Sequence, residues 1–410
     1  MNKKPAILLY FLFLPVFLFS QKTIKGFVVN GATGDPVAGS SVFLNSTSIG
    51  TISDKTGYFE LNNIGEGHYD LIVSSVGYET TIYSFNTSQL PLSLKVQMSV
   101  KVKELENVTV EPYVKEGWDK WGLRFTDEFV GLTPNAQRCK IKNSEAIQFR
   151  YYKKSNRLVA YSDEPIIIEN KALGYNIRYQ LEDFEIDFSK GSCSFSGFPF
   201  FEDMDKDKKT VRHRYKEARE KAYYGSMMHF VRCLYKDSLE QNGYEVRRMV
   251  RSPNLEKQRV KNVYAAARTM TINPTTKARI FSLHLDSLQK DSTAYYDRIL
   301  SQKDYKEVYG SSILTADSVI IGMEGSIKQL FFTDYLYITY KKGIEAKEYI
   351  AFSGESRSQT FQRSYVWLVE QQPIAIDGIG NYYPPQQLIS MAYWAWSNKN
   401  GDLLPQDYQP

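Results

Sequence analysis

The sequence is poor in the residues that usually build metal sites and cross-links. Its 410 residues include four histidines and three cysteines, Cys139, Cys193 and Cys233. So few cysteines exclude a disulfide scaffold, because a chain of this length buries an ample apolar core without bridges. They leave open one disulfide plus a free thiol, or three thiols. The histidines stand as His68-Tyr-Asp-Leu, His213-Arg-Tyr-Lys, His229-Phe-Val-Arg and His284-Leu-Asp-Ser. None forms the His-x-x-Glu or His-Glu-x-x-His spacing that brings ligands and a base onto one zinc ion. Metallopeptidase catalysis is therefore not expected, and neither a metal nor any other cofactor is called for.

An excess of charge is also missing. The formal net charge is +5, of which Lys3 and Lys4 supply two, and there is no Arg-rich stripe. A balance this weak makes no case for nucleic acid. After Gln21 no uninterrupted apolar run approaches the roughly 18 residues that a membrane-spanning helix needs. No low-complexity composition dominates the chain.

What is present is a strand-rich globular composition, 42 % hydrophobic and 24 % charged, with 30 Tyr and 23 Phe. Large flat side chains pack well on pleated surfaces, which favours β structure. The length suits two or three domains. The start, MNKKPAILLYFLFLPVFLFS, has a basic lead, an apolar stretch from Ala6 to Phe19 and a small residue, Ser20. That is the pattern of a secretory signal peptide over residues 1–20, which predicts export and no transmembrane span after cleavage.

From Thr23 to about Val110 short strand candidates alternate with turn residues. In LPLSLKVQMSV, the apolar Leu90, Leu92, Leu94, Val96, Met98 and Val100 alternate with Pro91, Ser93, Lys95, Gln97, Ser99 and Lys101. One face is buried and one wet, the signature of a sandwich sheet. In GTISDKTGYFEL the spacing predicts a hairpin, with Asp54 accepting turn amides and Gly57 taking a positive φ. Phe59 and Leu61 then point to the core, and Tyr58 and Glu60 away from it.

These residues carry a resemblance. Gly26, the Thr33-Gly34-Asp35-Pro36 turn with Val37, Gly39 and Val42, then Gly50-Thr51, Ser53-Asp54, Gly57-Tyr58-Phe59, Gly67 with Tyr69, and Ser75-Val76-Gly77-Tyr78 occur in the order of the carboxypeptidase-regulatory-like domain. The resemblance implies a transthyretin-like, seven-stranded sandwich over residues 21–111, of the kind that follows the signal peptide in Bacteroidetes-type envelope proteins. In peptidases such a sandwich is an accessory beside the catalytic domain. In outer-membrane receptors it precedes a plug and a large barrel. The roughly 300 residues that follow here are too few for both, helix-like segments interrupt them, and DYQP does not read as a closing aromatic strand. The expectation is that the chain is not itself a transporter.

Residues 112–410 read as an α+β domain with antiparallel strands, an order that also permits two lobes, 112–209 and 210–410. Val114 to Val130 reads as one amphipathic helix with Trp118, Trp121, Phe125 and Phe129 as its core stripe. Tyr175, Ile177, Tyr179 and Leu181 alternate as a strand, and Phe184, Ile186 and Phe188 repeat the pattern. Helix is expected over Thr210 to Gln241 and near Gln387 to Trp396. The segments YSDEPIIIENKALGYNIRYQLEDF, AYYGSMMHFVRCL and LLPQDYQP resemble the downstream part of a family of exported proteins that share the N-terminal module and have no established activity.

Three patterns imitate chemistry. Asp203, Asp205 and Asp207 begin a calcium loop, but Lys208 and Arg214 occupy the positions that need Gly and a bidentate Glu. Asp377 to Tyr383, DGIGNYY, lacks the third glycine of a dinucleotide site and reads as a turn. On a helix, Ser226, His229 and Cys233 would share a face as nucleophile and base, with no orienting group or oxyanion hole in view; core packing is the preferred reading. Finally, Ser238, Ser287, Ser292 and Ser318 each follow Asp and precede an apolar residue or Thr, resembling Bacteroidetes-type O-glycosylation sites. The preferred function is a noncatalytic envelope protein of the periplasm, outer membrane or cell surface: a sandwich adaptor plus a domain that binds a protein, peptide or glycan. The alternative is a hydrolase with an unrecognised site in the C-terminal domain.

Overall fold

The computed structural model describes residues 22–101, 111–206, 211–266, 268–272, 279–283 and 290–410, with side chains described outside 266–293. The expected signal peptide, residues 1–20, lies outside the described residues. Contacts divide the chain into two units, 1–109 and 110–410.

Among the described residues the first unit is β apart from one 3-10 turn, Thr87–Gln89. Its strands are β1 (Ile24–Asn30), β2 (Ser41–Leu44), β3 (Gly50–Ile52), β4 (Tyr58–Leu61), β5 (His68–Ser74), β6 (Thr81–Asn86) and β7 (Leu92–Met98). They form a three-stranded sheet, β4-β1-β7, and a four-stranded sheet, β3-β2-β5-β6. Ile24, Val28, Phe59, Leu61, Val96 and Met98 from the first and Val42, Leu44, Leu71, Val73 and Phe85 from the second are buried, giving a sandwich of seven strands. Strands β3 and β4 do not pair as the expected hairpin. Strand β3 joins β2 and β4 joins β1, so the Ser53–Gly57 turn carries the chain from one sheet to the other. Both strands are short, and each gains more ladder from a neighbour of its own sheet than from the other.

The second unit begins with β8 (Tyr113–Glu116), α1 (Trp118–Phe129), β9 (Cys139–Ile141), β10 (Ile147–Tyr152), β11 (Arg157–Ser162), β12 (Ile166–Asn170), β13 (Tyr175–Asp187) and β14 (Ser192–Asp203). Its seven strands make one antiparallel sheet, covered by α1, whose Phe125 and Phe129 are fully buried against Phe149, Ile177, Tyr179 and Phe184. The helix is shorter than the sequence pattern suggests. Tyr113 to Glu116 pair with the edge of β10 instead, because a β-branched and an aromatic residue fit a ladder that the rest of the sheet already provides. The register of β13 shifts at a bulge between Leu181 and Asp183. That extra residue explains why the buried positions change from odd (Tyr175, Ile177, Tyr179, Leu181) to even (Phe184, Ile186). Phe188, read as part of this strand, lies just past its end.

Helices α2 (His213–Tyr223) and α3 (Met227–Tyr235) follow, then β15 (Tyr244–Pro253), α4 (Leu255–Ala266), β16 (Arg268–Ile272), β17 (Arg279–Leu283), α5 (Lys290–Leu300), β18 (Tyr305–Tyr309), β19 (Ile320–Glu324), β20 (Ile327–Leu330), β21 (Tyr335–Ile344), α6 (Lys347–Ser353), β22 (Phe361–Leu368), β23 (Ile374–Asp377), β24 (Tyr382–Tyr383), β25 (Leu388–Ala392) and α7 (Tyr393–Ser397). A five-stranded sheet, β18-β15-β21-β22-β25, and a four-stranded one, β19-β20-β23-β24, share a second core with α3. The helix expected near Gln387 to Trp396 is mostly strand: Leu388–Ala392 pairs with β22, and only the last turn is helical. The whole is an N-terminal sandwich followed by an α+β region of antiparallel strands. Among the described residues no helix is long and apolar enough to cross a membrane.

Candidate functional site

The structure places the Ser226, His229 and Cys233 set at the start of α3. Gly225, at φ +87°, breaks the helical run after α2, so Ser226 becomes the N-cap of α3 and not a residue on its face. Its Oγ accepts the amide of His229 at 3.1 Å, the ordinary capping bond. His229 is 3 % exposed and surrounded by Tyr223, Tyr224, Tyr244 and Tyr340, with ring centroids 4.9 to 5.9 Å away. Its Nδ1 accepts the Gly225 amide at 3.2 Å and lies 2.9 Å from the Tyr244 hydroxyl. An amide can only donate, so the neutral ring carries its proton on Nε2. Burial pushes the imidazole down to about 4, against a smaller opposing effect of the Asn242 side chain. A ring with so low a pKa is a weak base, and this one is held by a turn it stabilises. Cys233 is buried, and burial raises its pKa.

The turn held by His229 is the floor of a cleft of about 870 Å³. The Gly225 carbonyl also accepts the Trp394 indole N–H at 2.7 Å. Close approach demands glycine at this point: a Cβ on Gly225 would meet Gln362 Oε1 at 2.5 Å and the Tyr340 ring at 2.8 Å. Around the floor stand Tyr224, Tyr340, Tyr393 and Trp396, with the polar Asn135, Gln362, Asn398 and Asp402. The indole nitrogen of Trp396 is buried and has no hydrogen-bond partner among the described residues. Asp402 accepts from the Thr133 hydroxyl and from Asn135 Nδ2, and burial outweighs those bonds and raises its carboxyl to about 6. Charges on the wall balance, Arg214, Lys221 and Lys342 against Glu217, Glu220 and Asp402. Such a concave site of aromatic faces and a few directed polar groups is what small or extended ligands fill. His229 is not among the lining residues.

Sequence reasoning missed the cleft because no local pattern marks it: its walls come from positions 133–135, 214–226, 340–346, 362 and 393–402. The glycine of GSMMH was the one visible clue.

The other sequence candidates have structural partners. Asp203 takes Arg219 at 2.9 Å and Asp205 takes Arg212 at 3.2 Å, so arginines occupy the start of the calcium-like loop; Asp207 lies outside the described residues. Asp377 Oδ1 accepts the Ile379 and Asn381 amides in a tight turn. Asp54 Oδ1 accepts the Thr56 and Tyr58 amides at 2.8 and 2.9 Å, and Gly57 sits at φ +77°. All three cysteines are free thiols, with Cys139 and Cys193 pushed up to about 12 by burial. Ser318 is exposed and Ser238 half-buried. Ser287 lies outside the described residues, as does the side chain of Ser292.

The CarboxypepD_reg-like domain matches residues 24–110. The TonB-dependent receptor SusC of Bacteroides thetaiotaomicron is 34 % identical over 148 residues, covering 33 % of this chain and 14 % of that receptor. The chain thus matches only a small part of its curated relative. Among solved structures, a cohesin–X-dockerin complex from Acetivibrio cellulolyticus is 22 % identical, with 19 % of this chain and 57 % of the other covered and a TM-score of 0.17. A protein of unknown function from Bacteroides fragilis, described as membrane-associated, is 10 % identical, with 91 % and 95 % covered and a TM-score of 0.16. The sandwich that opens this chain, residues 24–110, is a CarboxypepD_reg-like domain.

Proposed function

We propose that this chain is a noncatalytic cell-envelope protein in which the CarboxypepD_reg-like sandwich is an adaptor and the 112–410 region binds a protein, peptide or glycan in the cleft above Gly225. The cleft carries the reading: four aromatic residues and several polar side chains converge on one concavity, while the nucleophile and base candidates are committed to a helix cap and a turn. An envelope location is supported by the export-type N-terminus and by the partial similarity to the TonB-dependent receptor SusC of Bacteroides thetaiotaomicron. Periplasmic and surface exposure are both compatible with it. The hydrolase alternative loses support, because a buried imidazole at about 4 is poorly matched to proton abstraction at neutral pH.

The test is a thermal-shift and tryptophan-fluorescence screen of the full chain against oligosaccharide and peptide panels. Hits are expected to weaken about tenfold on Tyr224→Ala, since Tyr224 is 46 % exposed on the cleft wall and its loss removes one stacking face without emptying a core. An absence of hits, or hits indifferent to Tyr224→Ala, would refute the cleft as the binding site.

A further inference from the structure

A second surface, separate from the cleft, carries a run of aromatic residues on adjacent strands. The five-stranded sheet β18-β15-β21-β22-β25 buries Val246, Leu336, Ile338, Val366, Leu368 and Leu388 on one face. In an antiparallel sheet with one face on a core, the alternate residues face water and are normally polar. Here they are aromatic and half-buried: Tyr335 and Tyr337 alternate with Leu336 and Ile338, and Tyr365 and Trp367 with Val366 and Leu368. Register puts Tyr337 opposite Tyr365 and Tyr365 opposite Met391, so the aromatic strip crosses adjacent strands. The rings touch, Tyr309 to Tyr337 at 4.7 Å and Tyr335 to Trp367 at 5.6 Å between centroids. Tyr309 is 45 % exposed and Tyr305 52 %. Arg251, bonded to Glu307 and the Tyr365 hydroxyl, lies 4.8 Å from the Tyr365 ring centre and orders the strip from within.

The strip runs into a cleft of about 520 Å³ that Tyr337 shares with Lys303, Arg357 and Arg363 and with the carboxylates Glu345 and Glu355. Arg357 is tied to Glu345 and Glu355. Lys303 and Arg363 are exposed, and neither makes an ion pair within 4 Å among the described residues. Aromatic faces are electron-rich and attract the polarised C–H face of a sugar ring, and free cations attract carboxylates. A sheet face offers no unpaired backbone, so an extended peptide, which is captured at a sheet edge by main-chain bonds, gains little here.

We propose that this outer sheet face binds an acidic polysaccharide, its sugar rings against Tyr309, Tyr337, Tyr365 and Trp367 and its carboxylates against Lys303 and Arg363. The site is independent of the Gly225 cleft and stands if that reading fails.

Isothermal titration of the full chain with polygalacturonate, dextran, poly-glutamate and oligo(dT) tests it. Polygalacturonate is expected to bind, more weakly at high salt. Tyr337→Ala and Arg363→Gln are each expected to weaken it about tenfold, the size of one lost stacking or charge contact, with Arg363→Lys restoring most of the loss and Tyr224→Ala changing nothing. Arg363 is exposed, so its variants keep the test valid if Tyr337→Ala lowers the melting temperature. The proposal is overturned by absence of polygalacturonate binding, by equal binding of dextran, by equal or tighter binding of poly-glutamate or oligo(dT), or by binding that ignores both substitutions.

Discussion

A single imidazole shows how burial redirects a residue with catalytic potential. Folding lowers the pKa of His229 from an ordinary value near 6.5 to about 4, chiefly through loss of water. Between those values the unfolded chain binds a proton that the native chain does not. The contribution is therefore fully present above about pH 6.5 and is lost as the pH falls toward 4, up to about 3 kcal/mol. His229→Gln keeps an acceptor for the Gly225 amide but removes the titration. Its unfolding free energy is expected to change less between pH 7.5 and 4.5 than that of the parent, which urea denaturation at both values measures; an unchanged slope would exclude His229 as the source. From sequence, the i, i+3, i+7 spacing of Ser226, His229 and Cys233 was legible, but not that Gly225 ends the preceding helix and turns the serine into a cap.

At the scale of elements, the Ser53–Gly57 turn is the clearest case of a local signal surviving into the fold. Gly57 at φ +77° is forced twice over, by the left-handed backbone and by Val28, whose carbonyl oxygen would lie 2.4 Å from an added Cβ. Val28 also donates its amide to the Gly57 carbonyl at 2.8 Å, so any shift breaks the contact between turn and sheet. Gly57→Ala is expected to destabilise the sandwich by about 2–3 kcal/mol. Guanidinium denaturation would show it, and a loss below about 0.5 kcal/mol would contradict the strain argument. The turn residues were readable, whereas the partner strands were not: a turn sequence states how the backbone bends, and not which strand lies beside each end. Similarly, Trp118, Phe125 and Phe129 marked α1 by period, yet its start moved to Trp118 because β10 offered Tyr113 to Glu116 a ladder. The odd-to-even change in β13 was present in the sequence, and the bulge between Leu181 and Asp183 is its physical meaning.

At the scale of the whole chain, the segment 398–408 binds the two cores of the second unit together. Asn170 Nδ2 donates to the Gly401 carbonyl at 2.9 Å, Lys399 pairs with Glu128 at 2.8 Å, and Leu404 is buried in the core under α1. From the other core, Arg232, 4 % exposed, donates to the carbonyls of Ile379, Gln406 and Tyr408 at 2.7 to 3.0 Å. Removing this guanidinium leaves three carbonyls short of a donor, so Arg232→Met is expected to cost about 3 kcal/mol and to free the segment. Limited digestion with a carboxypeptidase would then trim the variant faster than the parent; equal rates would show that the segment is held without Arg232. By itself the sequence determined the sandwich module, its turn, the aromatic stripe of α1 and the alternation of the long strands. All of these are written in periods of two or 3.6 residues and in glycines whose conformational freedom is local. Only the tertiary structure decided that β3 and β4 serve different sheets, that His229 supports a floor, and that two clefts form. Those outcomes depend on which distant segments meet, as Thr133 meets Asp402, and such meetings are chosen by the packing of the whole core and not by any neighbour in the chain.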